Sequence, residues 1–347
     1  MVLFRFVGSC GITNFVAYNR NEVEPKEKQD GQLNGLDWLR GAASLMVCLF
    51  HIKKYVWADR SPNELLQLFD FGYLGVYIFF IVSGFVIPYS LDRSGYKTGK
   101  FGRFIFKRLV RIQPPYLLLL LLLLLWNFGL HEWKGWGTTW LFGWKKFLLN
   151  ATYLVPFSNE RWVFSIFWTL AVEFQYYVLI GLLFLVLRDH PALRYITFSL
   201  IVASSFVVPV HYQTVFNHGI YFLVGFQVFL YQTGRLGRIE LVASLIGALL
   251  FIGFFGLSPT LLPVLLTVAM LILFHHKNRI AGHFGTISYS LYLTHGLAGA
   301  ATVLLTAGKM DNWGRFTFAV TVSIIFATIY YRFVESPFLR FSKRIRY

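Results

Sequence analysis

The stretch Ile112-Gln113-Pro114-Pro115-Tyr116, followed by nine leucines from Leu117 to Leu125 and then Trp126-Asn127-Phe128-Gly129, runs for 18 residues without a charge. About 20 such residues cross the ~30 Å hydrocarbon core of a bilayer as a helix. An apolar run of this length reads as a membrane span rather than as a helix in a soluble core. The rest of the 347-residue chain agrees, with 56% hydrophobic and 14% charged residues, against roughly 45–50% and about 25% in soluble domains. Mean hydropathy is +0.57. These values exclude a disordered chain, a coiled coil and a nucleic-acid-binding tail. Aromatic residues make up 19%, as suits a protein whose Trp and Tyr anchor helices at the two interfaces.

Working outward from the leucine run gives ten spans: 36–56, 71–90, 112–129, 163–187, 194–210, 217–232, 239–257, 259–275, 284–306 and 315–334. The expected fold class is all-α, a polytopic integral-membrane helical bundle. The net charge is +16, from 32 Lys+Arg and 16 Asp+Glu. In a membrane chain basic residues collect in cytoplasmic loops, so no nucleic-acid partner is read from it. With a cytoplasmic N-terminus, the inner segments hold 23 of the basic residues and the outer segments 9. That asymmetry puts both termini in the cytoplasm, which an even number of spans satisfies.

The expected organisation is a cytoplasmic or interfacial segment 1–35, a transmembrane domain 36–337 and a basic cytoplasmic tail 338–347. The first 18 residues are apolar but interrupted by Arg5, Gly8, Gly11 and Asn14. They lack an obvious cleavage site and read as interfacial rather than as a signal peptide. The longest outer connection, 130–162, carries Trp133, Trp136, Trp140 and Trp144, and part of it reads as a helix on the outer surface. Cys10 and Cys48 are read as neither a disulfide nor a metal site, because Cys48 lies in an apolar run. His275, His276 and His283 lack ligand spacing and read as interfacial, so no metal is expected.

Ionisable residues inside spans are costly and therefore informative. Arg40 and His51 are 11 residues apart in the first span. That is roughly 16 Å along a helix, with a residual rotation of ~20°, so the two share a face. Ser83-Gly84 in the second span suits close helix approach, with Ser83 able to bond across. The segment 91–111 carries seven basic residues and one acid, Asp92. On a helix Arg108 and Arg111 share a face and could clamp a diphosphate. Glu173 follows Trp168 in the fourth span, and His295 follows Tyr289 and Tyr292 in the ninth, at a depth like that of His51. Two histidines and a carboxylate at mid-depth suit acid–base chemistry on a transferred group. They also suit a proton relay.

Together these stretches resemble the membrane-bound acyltransferase family 3. The likeness rests on Arg40 and His51, on Phe79 to Phe85, on Arg108 and Arg111 with Pro114-Pro115-Tyr116 after them, on Trp168 to Glu173, on Ser288 to His295, and on Glu335-Ser336-Pro337. Each motif is weak alone; six in family order, from residue 37 to 337, are specific. Where many members carry a second acid after the first, this chain has Phe174, so a role for that acid has no carrier. Many members also carry an appended hydrolase-like domain, and the chain reads as a stand-alone member without one.

The resemblance implies an O-acyltransferase, most often an O-acetyltransferase, in a bacterial inner or plasma membrane. It would move an acyl group from cytoplasmic acyl-CoA (acetyl-CoA) to a hydroxyl of a surface polysaccharide or lipid-linked glycan. On that reading Arg40, Arg108 and Arg111 bind the donor, and His51 is the general base or a transient acyl carrier. Glu173 and His295 orient or protonate, while Ser83, Gly84, Trp168, Tyr289, Tyr292 and Glu335 line or brace the site. No tightly bound cofactor is expected. The competing classes are a proton-coupled transporter or glycan flippase, and a structural partner of a polysaccharide synthase.

Overall fold

The computed structural model describes residues 26–58, 63–134, 143–208, 213–274 and 278–347. These residues are helical throughout, with no strand among them. Thirteen α-helices are described: α1 (Lys26–Trp57), α2 (Glu64–Asp70), α3 (Gly75–Arg93), α4 (Phe101–Lys134), α5 (Trp144–Ala151), α6 (Trp168–Asp189), α7 (Pro191–Val207), α8 (Val215–Gln232), α9 (Arg238–Phe254), α10 (Leu261–Leu273), α11 (Arg279–Leu305), α12 (Asn312–Tyr330) and α13 (Ser336–Arg344). A π-helical turn, Tyr331–Glu335, joins α12 to α13. Four segments are long and apolar enough to cross a membrane, namely Glu64–Arg93, Thr98–Leu130, Ser165–Asp189 and Asn312–Arg344.

Each expected span falls largely on a helix, but two helices reach well beyond their apolar runs. The first begins at Lys26, ten residues before the expected span, because the polar Lys26-Glu27-Lys28-Gln29 stretch consists of good helix formers. The second is α4, which spans 34 residues, roughly 51 Å at 1.5 Å per residue. Its first three turns take in the second half of the basic segment 91–111, which lies outside every expected span. Arg108 and Arg111 therefore stand on a rigid element. In the expected outer connection, α5 is helical and Trp144 at its start is exposed. The expected tail is the helix α13, with Tyr347 folded back against Tyr96 and Phe104. Cys48 is buried. The segment 1–25, with Cys10, and Trp136, Trp140, His275 and His276 lie outside the described residues.

The packing of the helices sets the site. The pairs α1/α11 and α11/α12 have extensive contact. A side-chain carbon on Gly285 would come within 2.6 Å of the Asp37 backbone, and one on Gly41 within 2.8 Å of Phe284. Small residues thus let the two backbones touch. Contacts further along join Ile52 to Gly299 and His51 to His295, so residue numbers rise together and α1 and α11 are parallel. The pair α3/α8 is also parallel, from Tyr77–Tyr221 through Phe80–Phe222 to Gly84 and Gly225. There the backbones meet, since a carbon on Gly84 would fall 2.2 Å from the Phe222 carbonyl oxygen and one on Gly225 2.0 Å from that of Ile81. The pair α4/α6 runs antiparallel, from Tyr116–Phe167 to Phe104–Gly181.

Candidate active site

Two adjoining cavities hold most of the polar residues singled out in the sequence. The first is a cleft of about 820 Å³, counted to its open mouth, between α1, α3, α4, α6 and α11. Arg40 enters it from α1, and Arg108 and Arg111 from α4. Ser83, Thr169, Glu173, Tyr177, Tyr289 and Tyr292 supply its other polar lining. Its remaining surface is largely aliphatic and aromatic. None of the three arginines has a salt bridge or hydrogen bond among the described residues. Arg108 is buried, its Nε has no hydrogen-bond partner, and its guanidinium lies over the rings of Phe104 and Tyr177.

Glu173 is held in this cleft by two hydroxyl donors. Ser83 donates to its Oε1 at 2.8 Å, and Tyr177, one helical turn on, donates to the same oxygen. The Ser83–Gly84 pair divides the work: Ser83 bonds α3 to α6, and Gly84 admits α8. Tyr289 donates to the Ile112 carbonyl at 2.7 Å, tying α11 to α4. Glu335, buried in the π turn, accepts from Ser290 at 2.6 Å and braces α11 from behind.

The second cavity surrounds His51 and is lined by Val47, Phe50, Tyr73, Val76, Tyr77, Ser165, Ile166, Trp168 and Tyr292. His51 Nδ1 lies 2.9 Å from the Val47 carbonyl, and His295 Nδ1 lies 3.0 Å from the Leu291 carbonyl. A carbonyl only accepts, so each Nδ1 carries the hydrogen; the tautomers are assigned from these partners. His295 Nε2 is then an acceptor, and it faces His51 Nδ1 at 3.2 Å. The His51 Nδ1–H is shared between Val47 and His295. His51 Nε2 is left with an unprotonated lone pair, the state a general base needs. His295 is fully buried.

The two cavities share two wall residues, Val76 and Tyr292. Arg40 and His51 lie on the one helix α1, each at a different cavity, as their near-alignment in the sequence suggests. Glu173 has no hydrogen bond to either histidine; it belongs to the arginine cleft. Trp168 opens α6 beside the histidine cavity.

Three participants escape a reading of motifs. Phe164 lies 6.4 Å from His51 and 6.2 Å from His295, ring centroid to centroid, seated in the space that a side chain at position 296 would fill. Gly296, immediately after His295, is the only hint of it in the sequence. His218 packs with tilted rings against Trp168 at 4.8 Å and Phe80 at 5.6 Å, centroid to centroid. It lies in no motif, and nothing in its spacing marks it. Tyr177 could have been found by its four-residue offset from Glu173.

An acyltransferase-domain family model matches residues 33–332. Two Staphylococcus aureus proteins, from strains COL and MSSA476, are named provisionally as O-acetyltransferases. Each is 26% identical over 375 residues, covering 92% of this chain and 59% of the relative. O-acetyltransferase OatA of S. aureus strain NCTC 8325 / PS 47 is 28% identical over 206 residues, 55% of this chain and 32% of that protein. The chain thus spans about three fifths of the length of the first two relatives. No solved structure matches it. With the family match covering nearly all of the helical body that carries both cavities, this chain belongs to the acyltransferase family 3.

Proposed function

We propose that the chain is a multi-pass membrane O-acyltransferase that takes an acyl group, chiefly acetyl, from cytoplasmic acyl-CoA. The acceptor is a hydroxyl on a surface polysaccharide or lipid-linked glycan. The observation that carries this reading is the adjacency of two unlike cavities: three arginines against one carboxylate, Glu173, with no salt bridge to the arginines among the described residues, in one, and an imidazole with a free basic nitrogen in the other. Like charges gathered in a region of low dielectric repel one another and are stabilised by an anion. The phosphates of CoA supply that charge, and Arg offers forked, charge-assisted hydrogen bonds to phosphate.

In the reaction His51 Nε2 takes the proton of the acceptor hydroxyl as its oxygen attacks the thioester carbonyl. The carbon–oxygen bond forms, the carbon–sulfur bond breaks, and the leaving CoA thiolate takes the proton from the imidazolium. His51 bears positive charge in the transition state, and the Val47 carbonyl and His295 Nε2 both face its Nδ1–H. His295 thus fills the orienting place that a carboxylate fills in hydrolase triads. Glu173 organises the donor cleft through Ser83 and Tyr177.

The alternation of spans in the ten-span reading draws support from helix direction, and the charge asymmetry of the sequence puts both termini in the cytoplasm. In a chain that crosses ten times, spans one and nine run the same way, as do spans two and six, whereas spans three and four oppose. The packing of α1/α11, α3/α8 and α4/α6 agrees. Reporter fusions at Asp92 and Lys309 are expected to report cytoplasm and outside respectively; reversed readings overturn the topology. The functional test is acyl-CoA consumption by membranes containing the chain. Transfer releases CoA and labels a glycan fraction, whereas a proton-coupled flippase releases none.

A further inference from the structure

We propose that Tyr292 and Val76 form the constriction that sets the length of the acyl group transferred, with Thr169 as the latch. This deepens the acyl-CoA reading and rests on it. The arginine cleft and the histidine cavity meet where Val76 and Tyr292 line both. Along α11, Tyr289 lines the cleft, Tyr292 stands at the wall and His295 touches His51. Each step is three residues, roughly 4.5 Å along the helix.

The Tyr292 side of the wall is pinned in place. The hydroxyls of Tyr292 and Thr169 are 2.6 Å apart, and Tyr292 also lies 3.3 Å from the Ile166 carbonyl. The Tyr292 ring meets Phe79 edge-on at 5.4 Å. Both Tyr292 and Thr169 are buried. The hydroxyl contact is buried, and it joins α11 to the first turn of α6.

The geometry imposes a route. The phosphates of the donor belong with the arginines, and the thioester carbonyl must come beside His51 Nε2. The thioester end therefore crosses the wall, and the acyl group must clear the gap between the Val76 side chain and the Tyr292 ring. A short acyl group passes when the latch yields. A longer one must displace a ring fixed at its edge and at its hydroxyl. In an apolar site each methylene that fits or fails to fit changes the rate about 10–200-fold, enough for two wall residues to set the length preference.

The test uses membranes from cells producing the full chain, with their native acceptor present. They are supplied with acetyl-, butyryl- and hexanoyl-CoA, and acceptor-dependent CoA release is read for each. Val76→Ala and Tyr292→Leu are expected to raise the butyryl-to-acetyl rate ratio about tenfold or more. Thr169→Val, which removes the latch hydroxyl and keeps the shape, is expected to raise it less. Competition by desulfo-CoA, measured on the same membranes, is expected to change less than the length ratio, because the arginines are untouched. Val76→Ala removes little volume and keeps the question open to decision if the tyrosine variant misfolds. Wild-type acetyl release with length ratios unmoved in Val76→Ala overturns the constriction alone. No CoA release by the wild-type protein overturns the donor reading and the constriction with it.

Discussion

The arginine cleft and the histidine cavity lie side by side and are built on opposite principles. The cleft gathers three cations from two helices against one carboxylate, Glu173, and gives the cations no salt bridge or hydrogen bond among the described residues. The cavity holds two neutral rings, each bonded to the carbonyl one turn back on its own helix, and bonded to each other. One region keeps a surplus of positive charge; the other has its hydrogen bonds already made. Under the proposed function, the difference divides the work. Binding draws on charge that the fold leaves unmatched, whereas chemistry needs a base held in one tautomer and one orientation before substrate enters.

The sharpest way to break this division is at His51. His51→Ala is expected to lower acyl transfer about 10²–10⁴-fold while donor binding, measured by competition with desulfo-CoA, stays intact. His51→Gln is expected to be equally inactive, because an amide neither accepts a proton at neutral pH nor carries an acyl group. A Gln variant working near the wild-type rate would reduce His51 to a packing residue. Replacing Arg108 and Arg111 together by Ala attacks the other region. Two lost charge-assisted contacts at about 1.5–3 kcal/mol each predict a donor affinity weakened about 10²-fold or more, with a double Lys variant recovering part of it. Unchanged affinity would return these residues to a purely topological role.

Smaller effects refine the boundary. His295→Leu removes one of the two acceptors facing the His51 Nδ1–H and leaves Val47. The loss of a hydrogen bond to a charged intermediate predicts a fall in kcat of about tenfold or more, with the donor KM unchanged. A rise in KM instead would mean that His295 shapes the cleft. Gly84→Ala should touch neither region directly. Its new carbon would fall 2.2 Å from the Phe222 carbonyl oxygen, so α3 and α8 must separate, at about 1–3 kcal/mol. The expected readout is a lower thermal midpoint in detergent, with donor affinity of the remaining folded protein preserved.

How much of this a reader of the sequence can see depends on the kind of physics involved. The apolar runs are legible because bilayer thickness imposes a length. Depth is legible too: His51 and His295 read as equally deep, and the parallel register of α1 and α11 brings them together. Partnership is not legible. That Glu173 stands with the arginines rather than the histidines depends on α6 lying beside α3, which no spacing records. Phe164 and His218 belong to the site through contacts between remote segments. That the second half of the basic segment 91–111 is a rigid continuation of the leucine-run helix is hidden by its charges, which mark no span. Gly41 and Gly285, which allow α1 and α11 to touch, are seen as causes only once the helices are paired.

Ser83 carries the finest test, because it borders Gly84 in the chain yet belongs to the cleft in space. Its hydroxyl is one of two donors to the same oxygen of Glu173, and Tyr177 remains when it is removed. Ser83→Ala therefore weakens the fixing of Glu173 without releasing it. About 1 kcal/mol is the usual net worth of one such bond, or roughly fivefold in an equilibrium constant. If Glu173 serves the donor cleft, the change should appear in the donor KM, leaving kcat and the thermal midpoint where they were. The second half of the measurement decides between the regions. A fall in kcat at constant KM would place Glu173 in communication with His51, and the separation of a binding cleft from a catalytic cavity would have to be redrawn as one continuous proton-handling site.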